Sequence, residues 1–204
     1  MAYSQFKTIR SVKQAFDLTV VEGDRFLPEL SPVEPSAILQ DYLADTLPLV
    51  ATSGSEKARS EGIIYPLLLE VRRQLNRSVS LFSGEDFTVD ETVGLNGICD
   101  FLLTRSPDIL EIEAPAVVLI EAKKTELKSG LGQCIAEMVA AQRFNQSASQ
   151  ATSSPITTIY GCVSNGIQWQ FLQLEEMTVQ IDLTVYPLPP IDRVLADMIW
   201  MAHG

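Results

Sequence analysis

Residues 117–128 read VVLIEAKKTELK, so an acid and a base, Glu121 and Lys123, directly follow four apolar residues. Alternate side chains of a strand point to the same face, so Glu121 and Lys123 are expected to lie together. Ala122 points to the other face and leaves space around its carbonyl. Because Mg²⁺ accepts carboxylates, backbone carbonyls and waters, Glu121 and the Ala122 carbonyl form a candidate pair of ligands. Lys123 is then placed to orient or deprotonate a water at that cation.

A second candidate ligand is Asp100, which interrupts the apolar stretch 97–103 (GICDFLL). An unpaired carboxylate is costly to bury in such a strand, and a cation shared with Glu121 would offset that cost. Two simpler explanations remain open at this point. Asp100 either marks an exposed edge of the sheet or pairs with Arg105.

The composition limits the chemistry that this site can use. The only histidine is His203, and the three cysteines, Cys99, Cys134 and Cys162, are far apart. This scarcity argues against zinc held by Cys and His, and against Ser-His-Asp or Cys-His catalysis. An odd number of cysteines, no apolar N-terminal secretion segment and no apolar run of about 20 residues favour a cytoplasmic protein that does not enter membranes.

The elements that must position these residues alternate between helix and strand. Apolar periodicity and turn residues predict helices over 8–16, 36–47, about 55–76 with a kink at Pro66, 130–146, and 191–203. Strands are predicted over 17–21, 78–89, 96–104, 116–123, 156–163, 167–174 and 178–184. The uninterrupted apolar character of 116–123 predicts a central strand covered on both faces, and the helix after it reads as amphipathic. We therefore expect one α/β domain over 1–204, with a central mixed β-sheet flanked by α-helices.

The order Gly97-Ile98-Cys99-Asp100, then Glu121-Ala122-Lys123, resembles the core motif of the PD-(D/E)XK nuclease superfamily, with Cys99 in place of the proline. The resemblance implies a restriction-endonuclease-like core and covers residues 55–145. Residues 1–54 are then an N-terminal extension, and 146–204 complete the sheet and add the last helix. The whole chain also resembles a family of uncharacterised cyanobacterial proteins of about this length.

The resemblance implies roles for individual residues. It implies Mg²⁺ or Mn²⁺ bound by Asp100, Glu121 and the Ala122 carbonyl, with Lys123 as a catalytic residue. It also implies a catalytic glutamine from the following helix, for which Gln133 is the candidate.

An acid from the preceding helix completes the implied set, and three residues compete for that position. Glu61 is favoured because it borders the buried stripe of the helix. Glu56 is explained by the helix N-terminus, and Glu70 by a solvated partnership with Arg73 or Gln74. On the following helix, Glu137 lies one turn after Gln133. It either orients Gln133 or Lys123, or is merely exposed.

Metal-dependent phosphodiester hydrolysis of nucleic acid, with DNA favoured, is the activity that the resemblance implies. It is compatible with a homodimer and with protein partners in a restriction or repair complex. The formal net charge of −11 opposes broad nucleic-acid binding, and the best basic patch is at Arg72, Arg73 and Arg77. Two rival hypotheses are a catalytically silent binding or assembly module, and a carboxylate–lysine enzyme acting on a small phosphorylated molecule.

Overall fold

A mixed eight-stranded sheet lies between helices in the computed structural model, which describes residues 2–52, 54–149 and 156–204. The strands are β1 (Thr19–Gly23), β2 (Ser80–Asp86), β3 (Ile98–Thr104), β4 (Ala116–Ala122), β5 (Thr158–Ser164), β6 (Gln168–Glu175), β7 (Thr178–Asp182) and β8 (Tyr186–Pro187). The helices are α1 (Ile9–Phe16), α2 (Ala37–Ala51), α3 (Glu56–Arg59), α4 (Tyr65–Gln74), α5 (Leu131–Ser149) and α6 (Asp192–His203). Short 3-10 helices span Tyr3–Gln5, Glu91–Val93 and Leu127–Gly130.

Strand β4 lies near the middle of the sheet, whose order is β1-β7-β6-β5-β4-β3-β2, with β8 added beside β6. The pairs β4–β5 and β1–β7 are parallel, and the other pairs are antiparallel. Every residue of β4 is buried, because helices cover both faces of the sheet. The predicted α/β class, mixed sheet and central strand are therefore confirmed.

The two faces of the sheet support separate hydrophobic cores. Helices α1 and α5 cover the face that contains Leu119, whereas α2, α4 and α6 cover the face that contains Ile120. The alternation of side chains along β4 produces this division. Glu121 follows the same alternation as Leu119, so its side chain points to the α5 face.

The helix predicted over 55–76 consists of α3, a π-helical turn over Ser60–Ile64, and α4. The interruption arises because Pro66 has no N–H to donate to the carbonyl of Gly62. That carbonyl accepts a hydrogen bond from Thr46 Oγ1 instead, at 3.0 Å. At the start of α3, Ser55 Oγ accepts the N–H of Ala58 at 3.2 Å, as an N-cap does.

The expectation that the helix after β4 is amphipathic was wrong. Helix α5 packs on β4 and β5 with one side, and α1 covers much of its other side. The middle of α5 is consequently buried all round, from Cys134 to Ala141. Its N-terminal turn also lies against the chain before α1, where only a glycine fits: a Cβ on Gly132 would lie 2.3 Å from the carbonyl oxygen of Phe6.

Replacing Gly132 by alanine is expected to destabilise the protein by about 1–3 kcal/mol, because the added methyl group meets rigid backbone atoms. The matched control is Gly23→Ala, since a Cβ at Gly23 meets nothing within 4 Å. Urea unfolding of the two variants measures the difference. Equal stability of Gly132→Ala and Gly23→Ala would contradict the close approach of the N-terminal segment to α5.

Candidate functional site

The site begins where strands β3 and β4 separate. Their pairing runs from Thr104↔Ala116 to Phe101↔Ile120. Beyond that point the side chain of Asp100 replaces the backbone of β3, and its Oδ2 accepts the N–H of Ala122 at 2.8 Å. The two predicted ligand positions are thus held against each other by a direct hydrogen bond.

The carbonyl of Ala122 is directed to the same side as its N–H. The neighbouring N–H of Lys123 donates to the carbonyl of Ser164 on β5 at 2.8 Å. Backbone groups of successive strand residues point to opposite sides, so those of Ala122 point away from β5 and towards β3. The prediction that this carbonyl is accessible to a cation beside Asp100 and Glu121 fits this geometry.

Both oxygens of Glu121 receive hydrogen bonds from predicted site residues. The Lys123 ammonium donates to Oε1, and Gln133 Nε2 donates to Oε2 at 2.8 Å. Gln133 also donates to Oε1 of Glu137, at 3.2 Å. The structure therefore brings Asp100, Glu121, Lys123 and Gln133 together around the end of β4.

Two features of the site were not predicted from the sequence: the burial of Glu137 and the space that Gly130 leaves for Lys123. Glu137 is fully buried, because α1 covers the side of α5 that the sequence pattern assigned to solvent. Gly130 provides space for Lys123: a Cβ there would lie 3.0 Å from both Cγ and Cε of the lysine, and 2.8 Å from Cγ1 of Val163. The glycine in the segment between β4 and α5 is the only signal of this packing that the sequence contains.

The three carboxyl groups of Asp100, Glu121 and Glu137 all resist ionisation. Burial, followed by the negative charge of Asp100, raises the pKa of Glu121 from 4.5 to about 8. Burial likewise raises the pKa of Asp100, although the N–H of Ala122 opposes this effect. Burial and the charge of Glu121 raise the pKa of Glu137 well above its usual value. At neutral pH the metal-free cluster consequently retains protons.

The same surroundings keep Lys123 in its charged form. Burial alone would lower its pKa, but the charge and hydrogen bond of Glu121 outweigh this effect and the pKa is raised. The negative charges of Asp100 and Glu56 add to the increase. The side chain is therefore an ammonium, suited to binding a phosphate oxygen or orienting a water.

A cleft of about 490 Å³ opens beside Asp100. Its walls come from the α3–α4 helical segment and from edge strand β2. The lining residues are Glu56, Lys57, Ser60, Glu61, Tyr65, Ser83, Gly84, Asp100 and Phe101. The Asp100 end of the site is therefore open to the protein surface.

The three candidate helical acids lie in different surroundings. Glu61 lines the cleft, but its side chain is 68% exposed and pairs with Lys57 at 3.6 Å. Glu56 also lines the cleft, and its charge acts on Lys123. On electrostatic grounds Glu56 is therefore coupled to the site more directly than Glu61.

The interpretation of Glu70 as a solvated residue was wrong, although its pairing with Arg73 and Gln74 is confirmed. Glu70 is buried, and its carboxylate accepts the N–H and the hydroxyl of Ser36 at 3.0 and 2.9 Å. Burial alone would raise its pKa, but these hydrogen bonds outweigh burial and lower it. Ser36 caps α2, so Glu70 holds α2 on α4 and does not belong to the site.

The simpler explanations of Asp100 do not hold. Arg105 donates instead to the carbonyl oxygens of Ala202 and Met201, at 2.9 and 3.3 Å, near the end of α6. Strand β3 is flanked by β2 and β4, so Asp100 does not lie on an edge strand.

The donors at the end of β4 suit a hard cation. Within the described ranges, no three His, Cys, Asp or Glu side chains are grouped so as to hold a metal ion. The available donors are two carboxylates, Asp100 and Glu121, and the carbonyl of Ala122. Mg²⁺ is commonly bound through one or two carboxylates while retaining waters or substrate oxygens, so this set is sufficient.

Comparison with protein-family models gives no match for the chain, and comparison with curated proteins gives none either. Across the described residues, no helix combines the length and the apolar character that a membrane crossing requires. The geometry of the site is therefore the basis of the functional proposal below.

The free energy of unfolding of the metal-free protein is expected to fall as the pH rises from about 4.5 to about 8. Between the unfolded and folded pKa values of Glu121, the folded state holds a proton that the unfolded state has lost. Stability is therefore highest below the lower value and decreases by up to about 1.4 kcal/mol per pH unit for this group. Urea unfolding at a series of pH values measures the slope.

The control for this slope is Glu121→Gln, which removes one titrating group. The slope should become shallower without vanishing, since the pKa values of Asp100 and Glu137 are also raised. A stability that increases over this pH range, or equal slopes in the two proteins, would show that Glu121 ionises normally.

Replacing Glu56 by glutamine is expected to lower the pKa of Lys123, because the negative charge of Glu56 helps to raise it. Glu61→Gln is the matched control on the same helical segment and should leave that pKa almost unchanged. NMR titration of the Lys123 side chain in both variants makes the comparison. A larger effect of Glu61→Gln would identify Glu61 as the acid coupled to the site.

Proposed function

We propose that the protein is a metal-dependent nuclease that hydrolyses phosphodiester bonds in nucleic acid, with DNA as the favoured substrate. One observation supports this proposal above the others: the half-buried carboxyl of Asp100 and the buried carboxyl of Glu121 share a single ammonium, Lys123, beside an open cleft. When both carboxyls are ionised, they leave an excess negative charge that a divalent cation would balance. The PD-(D/E)XK-like order of these residues in the sequence agrees with that chemistry.

The residues of the site have separable tasks in this proposal. Asp100, Glu121 and the Ala122 carbonyl would hold Mg²⁺ or Mn²⁺, which would supply Lewis-acid chemistry at the phosphate and at a water. Gln133 fixes the orientation of Glu121 through its amide. Lys123 donates to a non-bridging phosphate oxygen, where negative charge develops, or orients the attacking water.

The cleft determines how a strand approaches this chemistry. Lys57 lies in its wall, and Lys124 lies close to the segment before α3, since a Cβ on Gly54 would be 3.8 Å from its Cε. These lysines are available for phosphates on either side of the scissile bond. They form a local basic contribution within a chain of net charge −11.

A second function also has an observation in its favour. Both oxygens of Glu121 already receive hydrogen bonds from Lys123 and Gln133, so the network is closed without a cation. This arrangement favours a catalytically silent binding or assembly module of a restriction or repair complex. Metal binding separates the two functions, because only the nuclease requires it.

Plasmid and single-stranded DNA should be cleaved in the presence of Mn²⁺ or Mg²⁺, and Lys123→Ala should reduce the rate by about a hundredfold or more. Asp100→Asn should weaken cation binding measured by calorimetry. Lys128→Ala is the matched control, because this exposed lysine follows the site in sequence. Equal cleavage by wild type and Lys123→Ala would remove Lys123 from the mechanism, and a folded wild type that binds neither cation would favour the silent module.

A further inference from the structure

We infer that Glu137 is a positioning residue: it holds the amide of Gln133 and, through that amide, the carboxylate of Glu121. The positioning itself is a property of the metal-free protein. Its consequence for cation binding rests on the proposed function.

Glu137 does not contribute to solubility, because its side chain is not exposed to solvent. The residue is fully buried in the middle of α5, where an apolar side chain of similar size would avoid the cost of desolvating a carboxyl. Its neighbours on the helix include Ala136 and Met138, both buried and apolar. A carboxyl retained at this position is therefore expected to act on another group of the site.

The contacts of Gln133 identify that group. Its Nε2 donates one hydrogen bond to Oε2 of Glu121 at 2.8 Å and a second to Oε1 of Glu137 at 3.2 Å. A primary amide has two N–H donors in one plane, so two acceptors fix its rotation. Without Glu137 the amide has a single acceptor, Glu121, and one hydrogen bond no longer fixes its rotation.

The second oxygen of Glu137 supports a positioning role. Oε2 is buried and has no hydrogen-bonding partner among the residues that the structure describes. The groups that act on this carboxyl both belong to the site: the amide of Gln133 donates to Oε1, and the carboxyl of Glu121 shares a hydrogen bond with Glu137 when one of the two carboxyls holds a proton. The carboxyl of Glu137 therefore acts on two residues of the site, Gln133 and Glu121.

The consequence concerns the rigidity of Glu121 as a ligand. Mg²⁺ requires nearly ideal octahedral geometry, whereas Ca²⁺ accepts more variable distances and angles. Residues that orient a ligand commonly change metal affinity by about 10–100-fold when they are removed. Loss of the Glu137 acceptor should therefore weaken Mg²⁺ binding more than Ca²⁺ binding.

Two variants test the inference. Glu137→Gln keeps a side-chain oxygen that can accept from Gln133, and Glu137→Leu removes it while keeping a similar volume. Leucine is also the cheaper residue to bury, so the second variant is expected to fold, which thermal unfolding would verify. The first measurement is the NMR signal of the Gln133 side-chain amide in metal-free protein, assigned by its loss in Gln133→Leu.

In wild type and in Glu137→Gln, the signals of the two Gln133 amide protons should be well separated in chemical shift, and both protons should exchange slowly with water. In Glu137→Leu, the two signals should move towards the chemical shifts of a free amide, and the protons should exchange faster with water. An unchanged Gln133 amide in Glu137→Leu would overturn the inference. Loss of the signal pattern in Glu137→Gln as well would also overturn it, because the conservative variant should restore the contact.

The second measurement is calorimetric titration with Mg²⁺ and with Ca²⁺. Glu137→Leu should lose about 10–100-fold in Mg²⁺ affinity, with a smaller loss for Ca²⁺, and Glu137→Gln should stay near wild type. A wild type that binds neither cation would contradict the proposed function, while the amide measurement would still decide whether Glu137 positions Gln133.

Discussion

The hydrogen bond from the Ala122 N–H to Asp100 is the interaction on which the site depends. In a continued antiparallel ladder, that N–H would bond to the backbone of β3, and the two strands would leave no gap. The pairing instead ends at Phe101↔Ile120, and a carboxylate takes the place of the backbone acceptor. The substitution holds a charged group beside Glu121 and leaves the Ala122 carbonyl facing the same opening.

Two buried acids outside the site, Asp197 and Glu70, are balanced by neighbouring groups. Asp197 is fully buried, but Arg25 pairs with it at 2.6 Å. Glu70 has the donors of Ser36 and the nearby guanidinium of Arg73. Each of these carboxylates is satisfied by the fold, and each joins two elements of the structure.

The cluster around Glu121 is not balanced in this way. Asp100 and Glu121 lie beside one ammonium and Glu137 lies beside Glu121, so full ionisation of the three is favourable only when additional positive charge is present. In the metal-free protein, burial and the charge of Asp100 raise the pKa of Glu121 to about 8, so protons occupy the cluster at neutral pH. A divalent cation would replace those protons, which is why the same residues indicate both a pH-dependent stability and a cation site.

The sequence predicted most of the strands, because apolar runs and turn residues mark them. It also predicted the contact between Glu121 and Lys123, which follows from the alternation of side chains at the end of β4. It could not show that Glu137 is buried, since that depends on α1 packing across α5. Nor could it show that Glu70 binds Ser36, since these residues lie 34 positions apart on different helices. Local patterns determine elements and faces, whereas the exposure of a single polar residue depends on which distant element covers it.

The charges along the cleft bear on how an acidic protein would accept a polyanion. Glu56, Glu61 and Asp100 line it, and Lys57 is the cation among the lining residues. A phosphate that enters the metal-free cleft therefore meets a negative potential, to which an ionised Glu121 adds. A bound divalent cation reverses the sign at the end of β4, where Lys123 lies. Under the proposed function, substrate binding would then be coupled to cation binding, because the ion that supplies Lewis-acid chemistry would also remove the electrostatic barrier to the phosphate.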